Sequence, residues 1–435
     1  MALEDQSTGR SGPRHPKGGQ AVERVLEVAA AADADGCHSP AWLGFRGGRL
    51  VEVSDGPPTT DRVPVERRPD LLAVPALINP HAHLDLTSVG PVSMNRGFDG
   101  WLAEVRERRP RTDEACIAAV EDGIDASLRG GVVGVGDIVG ARAAAAIETL
   151  GRGPIASIAF IECLGTGRRE DAGLAMVEAV LELSRASGGS TEVGISPHAP
   201  YSCSPRVYEA AVATSLPITT HVAESVEELA FCRDGEGPLV DLLRRVGALT
   251  GTDQLEIPGR HPIPSLPRPG RHPWVLAHGN LLGRREEEIG EVLQWLVETK
   301  ATVVYCPRAT RFLGHLDRAG TEHPYRRLRE AGVRVALGTD GVPCLDRADR
   351  ITPLDDIRAL IDDPAELPDL LAMATVAGAE ALGWNGESLR FRSGCEAGLL
   401  GIRLGTGDLL TGLRRADGAI EWLTPPSPEA LRTRG

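Results

Sequence analysis

Residues 75–86 read PALINPHAHLDL. The apolar run 76–79 has the length and composition of a buried strand. His81 and His83 follow it two residues apart, and on an extended chain such residues face the same side. Two imidazoles are thereby offered to one centre. Alone, the HxH pair fits two surface histidines after a turn as well as it fits a metal site.

Outward from this segment, apolar runs of strand length alternate with helical segments. Strands are predicted at 76–79, 132–137, 154–161, 192–196, 217–222, 274–278, 301–306 and 333–338. Helices are predicted at 113–129, 170–187, 204–214, 284–298 and 324–331, with a last one near 365–383. Eight strands, each followed by a helix-length segment, predict an α/β chain folded as a (β/α)8 TIM barrel. The Pro/Arg/Gly-rich stretch 247–273 reads as an insertion loop. Residues 1–20 lack periodicity and are expected to be a disordered tail. Residues 21–75 and 386–435 hold short β-like pieces that could form one small module, built from both chain ends and flanking the barrel at 76–385.

Composition narrows the function. Among 435 residues, 61 are Asp or Glu and 47 are Lys or Arg, for a formal charge of −14. Without a basic run to offset that balance, nucleic acid is not an expected partner. No apolar stretch reaches the roughly 20 residues that span a bilayer, and the polar start lacks a signal-peptide core. The chain therefore reads as soluble and cytoplasmic, with a small molecule as partner, no membrane role and a homodimer left open. Eight cysteines without CxxC spacing fit free thiols in a reducing compartment.

Of the 11 histidines, His81, His83, His198, His221 and His278 fall at or just past the predicted strand ends. In a barrel the C-terminal strand ends carry the active site. His221 in ITTHVAES and Asp340 in VALGTDG can join His81 and His83 across the mouth. Three nitrogens and one carboxylate suit one divalent ion, with zinc first and iron or manganese as alternatives. Singly, His221 also reads as a core histidine and Asp340 as a turn residue. Glu224, three residues after His221, is placed to move protons, or else to serve as a first-turn helix glutamate. His278 in VLAHGN could polarise the group under attack, or be structural. Asp340 could also orient the attacking water.

Taken together, the segments PALINPHAHLDL, GVVGVGDIVG, ISPHAPYSCSP, THVAES, LAHGN, VVYCPR, VALGTDG and LLAMATVAGAEALG resemble the amidohydrolase superfamily. The likeness is to its mononuclear aminohydrolase branch of cytosine, guanine and S-adenosylhomocysteine deaminases and triazine chlorohydrolases. The resemblance implies metal ligands at His81, His83, His221 and Asp340, a proton shuttle at Glu224, and His278 beside the hydrolytic water. It also implies substrate contacts at His198 and Tyr201. Binuclear members commonly carry a bridging lysine on the fourth strand. The only lysines here, Lys17 and Lys300, lie elsewhere, so one metal is expected. The segments GFDGWLAEV, FLGH and HPYRRLREAGVRVALGTD are similar to deaminases of aminodeoxyfutalosine, a purine nucleoside. Gly341 and residues 309–311 depart from that pattern, in loops that shape the pocket.

The activity so implied is hydrolytic deamination of an amino-substituted heterocycle such as an aminopurine nucleoside, with chlorohydrolase or cyclic amidase as the alternative within the family. Arg308 could reach a substrate carboxylate or phosphate, or form a salt bridge. Trp101 and Phe98 could cover an aromatic base, or pack in the core. Two readings of other classes compete. GVGDIVG followed by the helical ARAAAAIETL resembles a dinucleotide-binding turn and would make the chain an NAD-linked oxidoreductase. A catalytically silent binding homologue is the other.

Overall fold

A computed structural model describes residues 22–57, 63–187, 191–250, 257–283, 285–404, 408–415 and 419–432. The expected tail at 1–20 lies outside the described residues. The first strands are β1 (Arg24–Asp33), β2 (Gly36–His38), β3 (Ala41–Arg46), β4 (Arg49–Ser54) and β5 (Val65–Pro75). One residue after β5 comes β6 (Leu77–Ala82), the first of eight parallel strands. The others are β7 (Val132–Val139), β8 (Ala156–Cys163), β9 (Glu192–Pro197), β10 (Ile218–Val222), β11 (Trp274–His278), β12 (Thr302–Tyr305) and β13 (Arg334–Leu337). The chain closes with β14 (Leu399–Arg403) and β15 (Ile420–Thr424).

Strands β6 to β13 pair in sequence order, with helices between them, as a (β/α)8 barrel. All eight predicted strands are present, with ends within three residues of expectation. Closure between β13 and β6 is made at the mouth. Asn79 Nδ2 donates to Thr339 Oγ1 at 2.8 Å, and the amides of Thr339 and Asp340 both reach the His81 carbonyl at 3.1 Å. The second sheet has the order β15-β14-β5-β1-β3-β4, with β2 on β1, so both ends of the chain contribute to it. All eight cysteines are free. No helix among the described residues is long and apolar enough to cross a membrane.

One element differs from expectation. The late helix is two helices, Leu367–Ala374 and Val376–Ala381, broken at Thr375, whose hydroxyl bonds back to the Leu371 carbonyl at 2.6 Å. Such back-bonding competes with the helical ladder. The break accompanies a close approach of Gly378 to β6, where a Cβ would lie 3.1 Å from Ile78. The predicted insertion loop is docked where it is described. His261 is buried with Nε2 3.0 Å from the Leu281 carbonyl, and Ile263 is fully buried. Residues 251–256 of that stretch lie outside the described residues.

The barrel also overturns the dinucleotide reading. GVGDIVG is the second barrel strand, and its glycines serve close packing. A Cβ on Gly134 would meet the Trp384 ring at 2.5 Å, and one on Gly136 the Pro80 carbonyl at 2.5 Å. Gly140 is covered by the Arg109 guanidinium. Asp137 is buried and accepts the Leu84 amide at 2.8 Å, so it anchors the HxH loop in place of any nucleotide.

Candidate active site

The parallel register delivers the C-terminal strand ends to one mouth. There His81 (β6), His83, His198, His221 (β10), Glu224, His278 (β11) and Asp340 are all buried or nearly so. Ring centroids of His81 lie 5.3 Å from His83, 5.0 Å from His221 and 5.4 Å from His278. Asp340 Oδ1 is 3.4 Å from His83 Nε2 and 4.0 Å from His81 Nε2. Two overlapping triads, His81–His221–His278 and His81–His83–Asp340, each keep their donor atoms within 4.8 Å of one another.

Protonation logic fits a cation. Burial first, then the neighbouring imidazoles, holds the His81, His83 and His221 rings below their ordinary pKa, so they are neutral imidazoles, the form that can bind a cation. His221 Nδ1 lies 2.9 Å from the His198 carbonyl, which can only accept; the ring proton is therefore on Nδ1 and Nε2 presents a lone pair. His81 is fully buried, yet neither ring nitrogen finds a hydrogen-bond partner among the described residues. An unanswered buried polar atom costs roughly 1–3 kcal/mol, and a cation on one nitrogen removes that cost. Burial, then the nearby Glu224 charge, raises the Asp340 carboxyl to about 6, the direction a cation would reverse.

Backbone strain concentrates here. Three of the six described non-glycine residues with positive φ are Ala223 (52°), His278 (69°) and Asp340 (61°), each next to or within the cluster. Such conformations cost about 1–3 kcal/mol each and persist where surroundings over-determine them. At Ala223 the constraint is visible: Glu228 accepts the Ala223 and Glu224 amides at 2.9 Å each, while Ser225 caps the helix Val226–Asp234. The Glu224 carbonyl accepts from Asn280, itself held by Thr310. Burial alone would raise the Glu224 carboxyl. His278, with Nε2 at 3.9 Å, and His315, with Nε2 at 3.2 Å from Oε1, outweigh it and keep the group well below the usual carboxylate range.

The substrate-side residues divide. His198 Nδ1 is 2.7 Å from Ser202 Oγ, whose proton goes to the Ala199 carbonyl. The imidazole therefore donates from Nδ1, and its Nε2 is an acceptor 3.9 Å from Glu162 Oε1. Two acceptors face each other, an arrangement that a hydrogen-bond donor can bridge. Tyr201 stands edge-on to His198 at 5.6 Å. Trp101 packs in an apolar cluster with Val89, Val105 and Leu313, and its Nε1 lies 3.3 Å from the Pro343 carbonyl. The Phe98 side chain lies outside the described residues.

Arg308 is occupied structurally. Its guanidinium bonds the fully buried Asp356 at 3.0 and 3.2 Å and the Thr352 carbonyl at 3.2 Å, tying the short helix after β12, Pro307–Leu313, to the helix Pro353–Leu360. Of the two readings of Arg308, these contacts are those of the salt bridge. Arg308→Met should cost roughly 3–5 kcal/mol in denaturant unfolding, because it leaves a buried charge unpaired. Native stability with only a raised KM would return Arg308 to the substrate.

Sequence reasoning missed Glu162, His315 and the Arg109–Asp85 pair at 2.7 Å. Glu162 ends the third barrel strand, so applying the strand-end rule to carboxylates as well as histidines would have found it. His315 had no such local signal.

A closed parallel barrel with imidazoles and carboxylates gathered at its C-terminal mouth defines the class of barrel proteins built to hold a metal ion. The chain belongs to the amidohydrolase family, whose sequence profile matches residues 72–402. It is 32% identical over 288 residues to an aminodeoxyfutalosine deaminase of Deinococcus radiodurans, a match that covers 64% of this chain and 65% of that protein's length. An aminofutalosine deaminase crystal structure from Helicobacter pylori has the same fold, with a TM-score of 0.70 and 21% identity over 93% of this chain and 99% of that one. So does a zinc-bound adenosine deaminase structure from Xanthomonas campestris, with a TM-score of 0.63 and 20% identity over 93% of this chain and 92% of that one.

Proposed function

We propose that this chain is a metal-dependent hydrolase of C–N bonds that deaminates an aminopurine nucleoside. The observation that carries the reading is the overlap at one mouth of two donor triads that share His81, His81–His221–His278 and His81–His83–Asp340, with the ionised Glu224 at their edge. A single divalent ion, zinc for preference, would be held by His81, His83, His221 and Asp340 and would supply the Lewis acidity that lets water lose a proton near neutral pH.

The protein's own groups then divide the work. Glu224 takes the proton as the water oxygen bonds to the amino-bearing ring carbon. It returns that proton to the amino nitrogen as the C–N bond breaks, and ammonia leaves. Asp340 orients the attacking oxygen and His278 stabilises charge on the adduct. The facing acceptors of Glu162 and His198 suit hydroxyl or amino hydrogens of a nucleoside, with Tyr201 beside them. The deaminase relatives support the same substrate class, and the proposed setting is the cytoplasm.

The test is a screen of metal-loaded protein on adenosine, 5′-deoxy- and 5′-thio-substituted adenosines, aminodeoxyfutalosine, pterins and cytosine. Ammonia release with an adenine-to-hypoxanthine absorbance change is expected for at least one nucleoside. No turnover of any of these by metal-loaded protein would sink the reading. Chloride release from a chlorotriazine would move it to the chlorohydrolases, and metal without any turnover to a silent homologue.

A further inference from the structure

His315 stands 91 residues from Glu224 in sequence, on the loop side of β12, yet its buried ring touches the Glu224 carboxylate. Both ring nitrogens are engaged. Nδ1 lies 2.9 Å from Nη2 of Arg318, and Nε2 lies 3.2 Å from Glu224 Oε1. A guanidinium has donors and no lone pair, and it keeps its proton throughout the working pH range. His315 Nδ1 must therefore accept, which leaves the one proton of the neutral ring on Nε2, aimed at Glu224. Arg318 is itself held by Glu227 Oε1 at 2.8 Å, three residues beyond Glu224. The chain Glu227–Arg318–His315–Glu224 thus leaves the helix Val226–Asp234, crosses to the helix His315–Ala319 and returns to the turn just before the first helix.

We propose that His315 is a positioning residue for the proton shuttle, with its tautomer set by Arg318. It occupies Oε1 of Glu224 with a donated hydrogen bond and so fixes the carboxylate's rotation and leaves Oε2 for proton transfer. A carboxylate that turned freely would spend part of its time with neither oxygen facing the reacting atoms. Packing alone needs none of this: a leucine fills similar space. The role in turnover rests on the deaminase reading; the tautomer does not.

Three variants of the metal-loaded full chain test it. His315→Leu should lower kcat about 10- to 100-fold, the range expected for losing a hydrogen bond to a charged group, with KM and metal content near native. His315→Gln can donate to Glu224 from its amide nitrogen and accept from Arg318 at its amide oxygen, and should recover most of the loss. Arg318→Met frees the ring to move its proton and should fall between the two. If His315→Leu fails to fold, the other two variants still rank. Equal kcat in wild type and all variants, or equal impairment of the Leu and Gln variants, overturns the proposal. Independently of turnover, nitrogen-15 spectra of histidine-labelled protein, with the His315 signals assigned by their loss in His315→Gln, should show the proton on Nε2. A proton on Nδ1 would overturn the proposal, whereas absent ammonia release beside an Nε2 proton counts against the deaminase reading alone.

Discussion

Glu224→Gln is expected to bind as much divalent metal as the native protein and to release ammonia roughly 10²–10⁴ times more slowly, the usual contribution of a positioned general acid–base group. The amide keeps the size of the carboxylate and can still meet His315, so the loop geometry stays. It loses the charge that accepts a proton. Because Glu224 touches none of His81, His83, His221 or Asp340 by a hydrogen bond, metal content is the control that separates lost proton transfer from a collapsed site. Metal analysis beside steady-state kinetics decides the matter: native turnover rejects the shuttle, and joint loss of metal and turnover makes Glu224 part of the metal cage.

Removal of the metal should have the other large effect. Dialysis against a strong chelator is expected to reduce turnover to background and to lower the thermal midpoint, both restored by about one equivalent of zinc per chain. A ligand that binds only the folded state contributes about 4 kcal/mol when present at a thousand times its dissociation constant, so the shift should be easily seen by calorimetry. The stability part follows from the fully buried His81, whose ring nitrogens have no hydrogen-bond partner among the described residues. His83→Asn should lower affinity enough that stoichiometric zinc no longer restores activity. If chelated protein keeps full turnover, the metal reading fails; if two equivalents are needed, the site is binuclear despite its lack of a bridging lysine.

Strand ends explain why so much of the site was legible. A buried strand announces itself over five or six residues, and the residue that follows it must lie at a barrel mouth. His81, His83, His198, His221, His278 and Asp340 all sit at such positions. Glu162, at the end of β8, obeys the same rule once it is applied to carboxylates as well as imidazoles.

The linear order of residues determined the alternation of strands and helices, the family, and the side chains presented at the mouth, because hydrophobic period and turn chemistry act over a few neighbours. Only the tertiary structure decided the partners made across the barrel. It withdrew Arg308 to Asp356, 48 residues away, and brought His315 to Glu224. It broke the last helix at Thr375, where Gly378 packs on β6. Each depends on how closed strands set distant loops side by side, and no local pattern along the chain carries that angle.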